Sequence, residues 1–177
     1  PFNFHVVNAV YVNAYAFPGG SIACTRGILL ELESEDQLSA LLGHELGHVN
    51  ARHFAEAQAK STLVDLAVAG VTIAATSKNA EYGQIAQMVG GLGGGALLAK
   101  YSRDNEREAD ALGMEYMTRA GYNPQAAISL WEKMMQSSSG GPPEWLSTHP
   151  NPETRIGYMR TLAEEYKPIY RTAAGGS

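Results

Sequence analysis

The stretch His44-Glu45-Leu46-Gly47-His48 decides how the rest of the chain is interpreted. In an α-helix, residues four apart lie on the same face, about 6 Å apart along the axis. The imidazoles of His44 and His48 can therefore reach one ion, and Glu45 lies beside them where its carboxylate can hold a water. Two neutral nitrogen ligands and a carboxylate base are what a zinc peptidase requires. The motif predicts a zinc site if it lies in a helix.

The residues around the motif predict that helix. Ser34 is placed as the N-cap, with acidic residues in the first turn and Gln37 reaching back as in a capping box. The helix is expected to continue towards Lys60. Its apolar residues repeat at helical spacing and are expected to face inward: Leu38, Leu41, Leu42, Leu46 and Val49.

The N-terminal part predicts a small antiparallel sheet. Residues 2–7 and 10–17 are rich in aromatic and β-branched residues with partial alternation and are expected to form two strands. Pro18-Gly19-Gly20 is a turn signal, and residues 21–25 are expected to form the third strand. If the last strand is an edge, its free backbone groups could pair with an extended peptide.

Length and composition bound the protein further. The 177 residues are expected to form one domain, 1–177, that lacks an N-terminal region, because the chain starts at Pro1 without an initiator methionine or signal peptide. The 18 acidic and 13 basic residues leave no basic face, which argues against nucleic-acid binding. Cys24 is alone, so it cannot form an intrachain disulfide; a buried thiol is expected, and its role is left open.

Residues 61–100 are rich in small apolar residues and glycine, and they allow two interpretations. The first is two packed helices separated near Lys78 and Asn79, and the second is a lid. No run of 18 uninterrupted apolar residues occurs, so no transmembrane helix is predicted, although these helices could lie at a membrane surface.

The C-terminal part predicts three further helices. They cover residues 101–120, 123–136 and 152–167, with a Ser/Gly/Pro loop at 137–143. The last helix is expected to stop before Pro168 because proline removes a backbone donor.

A catalytic zinc usually has three protein ligands and an open position, so one more ligand is needed. Histidines such as His5 and His53 are more often surface or core residues than ligands. Glu106 and Asp110 are four apart on a helix, so Glu106 could bind the metal while Asp110 accepts a hydrogen bond from a ligand imidazole. The alternative is an exposed helix with salt bridges to the flanking arginines, with Glu108 as the solvated acid.

Taken together, these motifs resemble the HtpX, BepA and CAAX-prenyl-endopeptidase family of gluzincins. The soluble, periplasmic BepA and LoiP type is the most similar. The matching stretches occur in the family's order from residue 13 to 155: Asn13-Ala14, Pro18-Gly19-Gly20, His44-Glu45-x-x-His48, Ser102-Arg103-Asp104-Asn105-Glu106-Arg107-Glu108-Ala109-Asp110 and Ser147-Thr148-His149-Pro150-x-Pro152-x-x-Arg155.

The resemblance implies a role for each matching residue. His44, His48 and Glu106 would hold one Zn²⁺ per chain. Glu45 would be the general base, and Asp110 would accept a hydrogen bond from a ligand histidine.

Three further residues match the family pattern. Asn13, expected on the strand beside the site, matches a residue that contacts substrate or the transition state. His149 matches a histidine near the metal that either stabilises the tetrahedral intermediate or fills the open zinc position and keeps the enzyme latent. Arg155 matches the end of the motif, and its role is left open.

The expected fold is α+β, mostly α: a zincin-like (gluzincin) peptidase with a small antiparallel sheet packed on the active-site helix. The expected activity is zinc-dependent endopeptidase cleavage of polypeptides in envelope protein quality control. The alternative is a latent or non-proteolytic zinc-binding, chaperone-like module with His149 on the metal. The expected location is the bacterial periplasm or the membrane-associated envelope; the substrate and the oligomeric state are left open.

Overall fold

The computed structural model describes residues 1–60, 101–136, 144–149 and 152–175. They form a mostly helical structure with one small three-stranded sheet. The strands are β1 (Asn3–Val7), β2 (Ala14–Phe17) and β3 (Ser21–Thr25); the helices are α1 (Arg26–Glu31), α2 (Glu35–Asn50), α3 (Arg103–Arg119), α4 (Gln125–Gln136), α5 (Glu144–Thr148) and α6 (Pro152–Ala173). The elements predicted within 61–100 and the loop at 137–143 lie outside the described residues.

The sheet is mixed, so the prediction of an antiparallel sheet was wrong for one of its two pairings. Gly19 and Gly20 have positive φ angles of 88° and 92°, and this turn folds β3 back antiparallel beside β2. β1 then pairs with the other side of β3, where it runs parallel, and the order is β1-β3-β2. The last strand is therefore central rather than an edge, and β2 is the edge strand next to the site.

Two features at the start of α2 refine its prediction. Ser34 caps the helix by accepting a hydrogen bond of 3.2 Å from the Gln37 N–H. The Gln37 side chain reaches back to the N–H of Glu33 at 2.8 Å, one residue before the cap.

Of the five apolar residues expected to face inward, only Leu41 is fully buried, because the buried face of α2 consists mainly of small and polar residues.

Those small residues bring α2 and α3 close together. Gly43 and Gly47 on α2 face Gly113 and Ala109 on α3. A Cβ at Gly43 would lie 2.7 Å from the Gly113 carbonyl oxygen, and one at Gly47 would lie 2.8 Å from the Ala109 carbonyl oxygen. The backbones can approach this closely only because these side chains are absent or minimal, and the approach brings the acids of α3 to the histidines of α2.

The helix that carries the motif ends at Asn50, so the expected continuation towards Lys60 was wrong. Arg52 has a φ of 58°, in the left-handed region that an α-helix does not use. Residues 53–60 are helical again as a separate segment. This break changes where His53 points, as described below.

The last helix continues through Pro168 to Ala173, which corrects the expected stop before the proline. An interior proline costs about 3 kcal/mol because a helix hydrogen bond is lost. Half-buried Tyr166, two residues before the proline, packs against the core and offsets part of that cost.

The apolar core lies between α2, α3, α4 and α6 and extends to the sheet. Its largest fully buried side chains include Trp145, Ile22, Ile28, Leu41, Met114, Met117, Leu130, Met134 and Met159. Cys24 is buried there, as predicted. Among the helices in the described ranges, none has the length and apolarity needed to cross a bilayer.

Candidate active site

Four buried side chains converge at the centre of the molecule. The Nε2 atoms of His44 and His48 are 3.1 Å apart, and His149 Nδ1 lies 3.2 Å from His44 Nε2. Glu106 Oε1 is 3.0 Å from His149 Nδ1 and 3.4 Å from His48 Nε2. One nitrogen or oxygen from each residue lies within 4.8 Å of all the others, so the group can hold a metal ion.

Three elements supply these side chains. His44 and His48 lie one turn apart on α2, and Glu106 lies in the first turn of α3, after the cap formed by Ser102. His149 follows α5 directly, and its N–H donates to the Trp145 carbonyl at 2.9 Å. Fully buried Glu106 excludes the interpretation of this segment as an exposed, salt-bridged helix.

The protonation states of His48 and Glu106 suit metal binding. Burial lowers the pKa of His48 well below its usual value, which keeps the imidazole neutral. Burial alone would raise the pKa of Glu106, but the charges of His149 and Arg155 outweigh it and hold that pKa well below its usual value. A neutral imidazole and an ionised carboxylate are the forms that bind a metal.

The other nitrogen of His44 is held by a buried charge network. Its Nδ1 lies 3.0 Å from Asp110 Oδ1. Arg155 donates to the two oxygens of Asp110 at 2.6 and 2.7 Å, and its Nη1 also contacts Glu106 Oε2. Its guanidinium lies 3.8 Å from the centre of the Trp131 ring. Arg155, whose role the sequence left open, therefore holds Glu106 and Asp110 in place.

The other nitrogen of His48 has a different partner. Its Nδ1 lies 2.9 Å from Nδ1 of His53, and His53 Nε2 lies 3.2 Å from Glu108 Oε2. The ring of Tyr101 stacks on His48, with centroids 4.0 Å apart and planes inclined by 24°.

Glu45 points into a cleft beside the four-residue group. Its Oε1 accepts a hydrogen bond of 3.2 Å from the indole of Trp145 and lies 3.6 Å from His149 Nε2. The cleft has a volume of about 170 Å³, and its lining includes residues of the edge strand β2, Phe54 and Tyr101. The carboxylate thus faces a space that is bordered on one side by β2, the edge strand of the sheet.

Asn13 lies one residue before β2, not within a strand. Its backbone pairs with Thr25, and its Oδ1 accepts from the Ala14 N–H at 2.9 Å. Its Nδ2 is buried and has no hydrogen-bond partner within the described part of the chain. The structure shows no contact between Asn13 and the group within that part, so its role toward substrate stays a prediction.

Three neighbours of the site were not identified from the sequence. Trp145 lies four residues before His149 and outside the motif that begins at Ser147, and an indole gave no sign of a contact with Glu45. His53 was treated as a surface or core histidine, and Tyr101 as a helix residue. Each depends on tertiary contacts, whereas His5 is exposed on β1 as expected of a surface residue.

The donor distances fit a metal of zinc's size. With bonds of about 2.0–2.1 Å, two donors of a tetrahedral zinc are about 3.3–3.4 Å apart. Observed separations of 3.0 to 3.4 Å between neighbouring donors lie within a few tenths of this value. Two histidines and a glutamate, with a second carboxylate beside a cleft, are the equipment of a zinc metallopeptidase.

Comparison with known proteins agrees with this class. Residues 1–163 match the model of peptidase family M48, and the chain belongs to that family. The resemblance drawn from the motifs is confirmed, and zinc is the cofactor of this family.

Three relatives show how far the similarity extends. The beta-barrel assembly-enhancing protease of Yersinia pestis is 34% identical over 174 residues, which cover 95% of this chain and 36% of that protein. The protease of the same name from Escherichia coli strain K12 is 32% identical, covering 96% of this chain and 36% of its own length. The mitochondrial metalloendopeptidase OMA1 of Schizosaccharomyces pombe is 36% identical, covering 86% and 44%. The chain thus spans about a third of the length of these bacterial relatives.

Proposed function

We propose that this chain is the catalytic region of a zinc-dependent endopeptidase with a zincin-like fold. The observation that carries the proposal is the buried convergence of His44, His48 and Glu106 beside the cleft into which Glu45 points. The relatives are named as proteases or endopeptidases, which favours an active enzyme over a non-proteolytic, chaperone-like module.

His44, His48 and Glu106 would hold the zinc. When bound, zinc supplies a Lewis acid that lowers the pKa of water to about 7 and polarises a carbonyl. Asp110 would orient His44 by accepting from its Nδ1–H, which leaves Nε2 free to face the ion. Arg155 pairs its single positive charge with both buried carboxylates and fixes their positions.

Glu45 would act as the general base and then as the general acid. Its carboxylate takes a proton from the attacking water and delivers it to the leaving amine. The Trp145 N–H holds Oε1 at 3.2 Å, so the carboxylate keeps one orientation toward the cleft. Proton transfer of this kind contributes about 10²–10⁴-fold to the rate.

A polypeptide substrate would bind in an extended form along β2. Within the described part of the chain β2 is an edge strand paired with β3, an arrangement to which an extended peptide can be added, and all four of its residues line the cleft. The buried Asn13 Nδ2, which has no partner among the described residues, is a candidate donor to the substrate carbonyl.

His149 has two possible roles at this position. Its Nδ1 lies within the donor group, where it could fill the fourth coordination position and keep the enzyme latent. If substrate displaces it, the same imidazole could stabilise the oxyanion. Casein cleavage by His149→Ala separates the two roles, because the rate rises in the first case and falls by about 10²–10³-fold in the second.

The substrates would be damaged or misassembled proteins of the bacterial envelope, and the enzyme would work in the periplasm or at the envelope membrane. Support comes from the two bacterial relatives, whose names refer to beta-barrel assembly.

The test is casein digestion combined with zinc analysis. The wild-type protein should cleave casein, a zinc chelator should stop cleavage, and added zinc should restore it. Glu45→Gln should retain about one zinc per chain but lose about 10²–10⁴-fold in rate. Glu35→Gln, an exposed change in the same helix, is the matched control and should cleave normally. Full activity of Glu45→Gln would refute the proposal.

A further inference from the structure

The nitrogen of His48 that faces away from the metal group meets another imidazole. His48 Nε2 points toward the other donors, and its Nδ1 lies 2.9 Å from His53 Nδ1. His53 Nε2 in turn lies 3.2 Å from Glu108 Oε2. His48 and His53 are each 1% exposed, while the side chain of Glu108 is 60% exposed. The three residues form a chain from the metal group to the surface.

The backbone break after α2 creates this contact. In a continuous helix, residues five apart point about 140° away from each other and cannot meet. Arg52 leaves the helical region with a φ of 58°, and this break turns His53 back toward His48. A positive φ at a residue other than glycine is uncommon and costs about 1–3 kcal/mol. The contact between His48 and His53 therefore forms despite an unfavourable backbone conformation at Arg52.

The hydrogen-bonding capacity of the three side chains fixes the direction of each bond. Metal binding requires a lone pair on His48 Nε2, so its proton lies on Nδ1 and is donated to His53 Nδ1. The proton of His53 then lies on Nε2 and is donated to the Glu108 carboxylate. Each imidazole therefore carries one proton and donates one hydrogen bond, and the unprotonated Nδ1 of His53 accepts the bond from His48.

The ring of His48 is also fixed in its plane. Tyr101 stacks on it at 4.0 Å, so the hydrogen bond to His53 and the stacking together leave one orientation of the ring. The direction of Nε2 toward the other donors follows from these two contacts.

We propose that His53 and Glu108 are positioning residues for His48 that raise the affinity of the site for zinc. They are the counterpart of Asp110 behind His44, built from an imidazole and an exposed carboxylate instead of a buried one. The inference rests on the proposed function only in taking His48 as a zinc ligand.

Zinc affinity, measured by competition with a chromophoric chelator, tests the chain of hydrogen bonds. His53→Ala removes the acceptor and should weaken zinc binding by about 10–100-fold, the usual effect of losing such a partner. His53→Asn can place an amide oxygen where Nδ1 lies, so its affinity should remain within a few-fold of wild type. Glu108→Gln should weaken binding less than His53→Ala does.

Two controls separate positioning from general damage. Glu115→Gln removes a partly exposed carboxylate of the same helix, which pairs with Arg119, and should leave zinc affinity unchanged. Chemical unfolding of each apoprotein shows whether it remains folded. If His53→Ala does not fold, the comparison of His53→Asn and Glu108→Gln with wild type decides the question.

Two results would overturn the inference. One is His53→Ala binding zinc as tightly as wild type, and the other is His53→Asn binding as weakly as His53→Ala, which would indicate a role of ring shape alone. Neither depends on peptide cleavage. A wild-type protein that binds zinc but cleaves no peptide would refute the proposed function and leave this inference standing.

Discussion

The partners behind His44 and His48 differ in burial and in charge. Behind His44 lies Asp110, 3% exposed and held by two hydrogen bonds from Arg155, which is 2% exposed. Behind His48 lies the imidazole of His53, whose own partner, the carboxylate of Glu108, is largely in solvent. The two histidines lie one turn apart on one helix but have different supports. His44 is supported by a buried ion pair, and His48 by a hydrogen bond whose chain ends at the surface.

The difference assigns two separate tasks. Removing one partner of a buried ion pair is costly, so the Asp110–Arg155 pair behind His44 stabilises the fold. A contact with a solvent-exposed carboxylate contributes little to stability, so the His53–Glu108 side orients His48 without holding the fold together. Three predictions test this division, beginning with the largest effect, and a fourth tests the burial of Cys24.

Arg155→Met should break the His44 side. It leaves the carboxylates of Asp110 and Glu106 buried without their cation, which should lower the free energy of unfolding of the apoprotein by about 3–5 kcal/mol. Urea denaturation measures the loss. Arg160→Met on the same helix, whose exposed partner is Glu132, is the control and should change stability by about 0–1 kcal/mol. A loss below about 1 kcal/mol for Arg155→Met would contradict the assignment.

Gly113→Ala should disturb the helix contact beside His44. The added Cβ would lie 2.7 Å from the backbone nitrogen of His44, so α2 and α3 must separate. Such overpacking costs about 1–3 kcal/mol, measured by thermal or urea unfolding. Gly157→Ala in α6, where among the described residues no atom outside the helix's own backbone lies within 4 Å of the new Cβ, should stabilise the protein by about 0.5–1 kcal/mol. Equal effects at both glycines would show that the close approach does not matter.

Glu108→Gln should leave stability nearly unchanged. Because the side chain is 60% exposed, its charge should contribute about 0–1 kcal/mol to the free energy of unfolding. Urea denaturation beside Arg155→Met gives the contrast directly. A loss as large as that of Arg155→Met would remove the distinction between the two sides.

Cys24 should show no reaction at all in the folded protein. Burial, helped by the charge of Glu45, raises the pKa of its thiol to about 12, so a fraction of about 10⁻⁴ is thiolate at pH 8. A thiol reagent at pH 8 should label the unfolded chain only. Rapid labelling of the native protein would show that the region between the sheet and Glu45 is open to solvent.

Features that depend on local interactions could be predicted from the sequence, whereas features that depend on contacts between distant residues could not. The helix around His44 could be predicted because its cap and its four-residue spacing are local. The strands were located from their composition, but the mixed pairing was not, since it depends on which side of β3 remains free for β1. Pro168 was expected to end a helix because the packing that offsets its cost is not visible in the local pattern.

The site shows the same difference between local features, which could be predicted, and long-range contacts, which could not. Glu106 and Asp110 could be placed on one helix face by spacing, although only the family resemblance chose the ligand interpretation over an exposed helix. The contact of His53 with His48 requires a left-handed residue at Arg52, and arginine gives no signal for that conformation. The bond from Trp145 to Glu45 joins residues 100 apart in sequence, so no periodicity could have indicated it.

The most direct test of the central claim is the crystal structure of the zinc-loaded protein, with anomalous diffraction measured at the zinc edge. One zinc should be bound by His44 Nε2, His48 Nε2 and a carboxylate oxygen of Glu106, with bonds of about 2.0–2.2 Å. Zinc at another place, or zinc held without Glu106, would contradict the account.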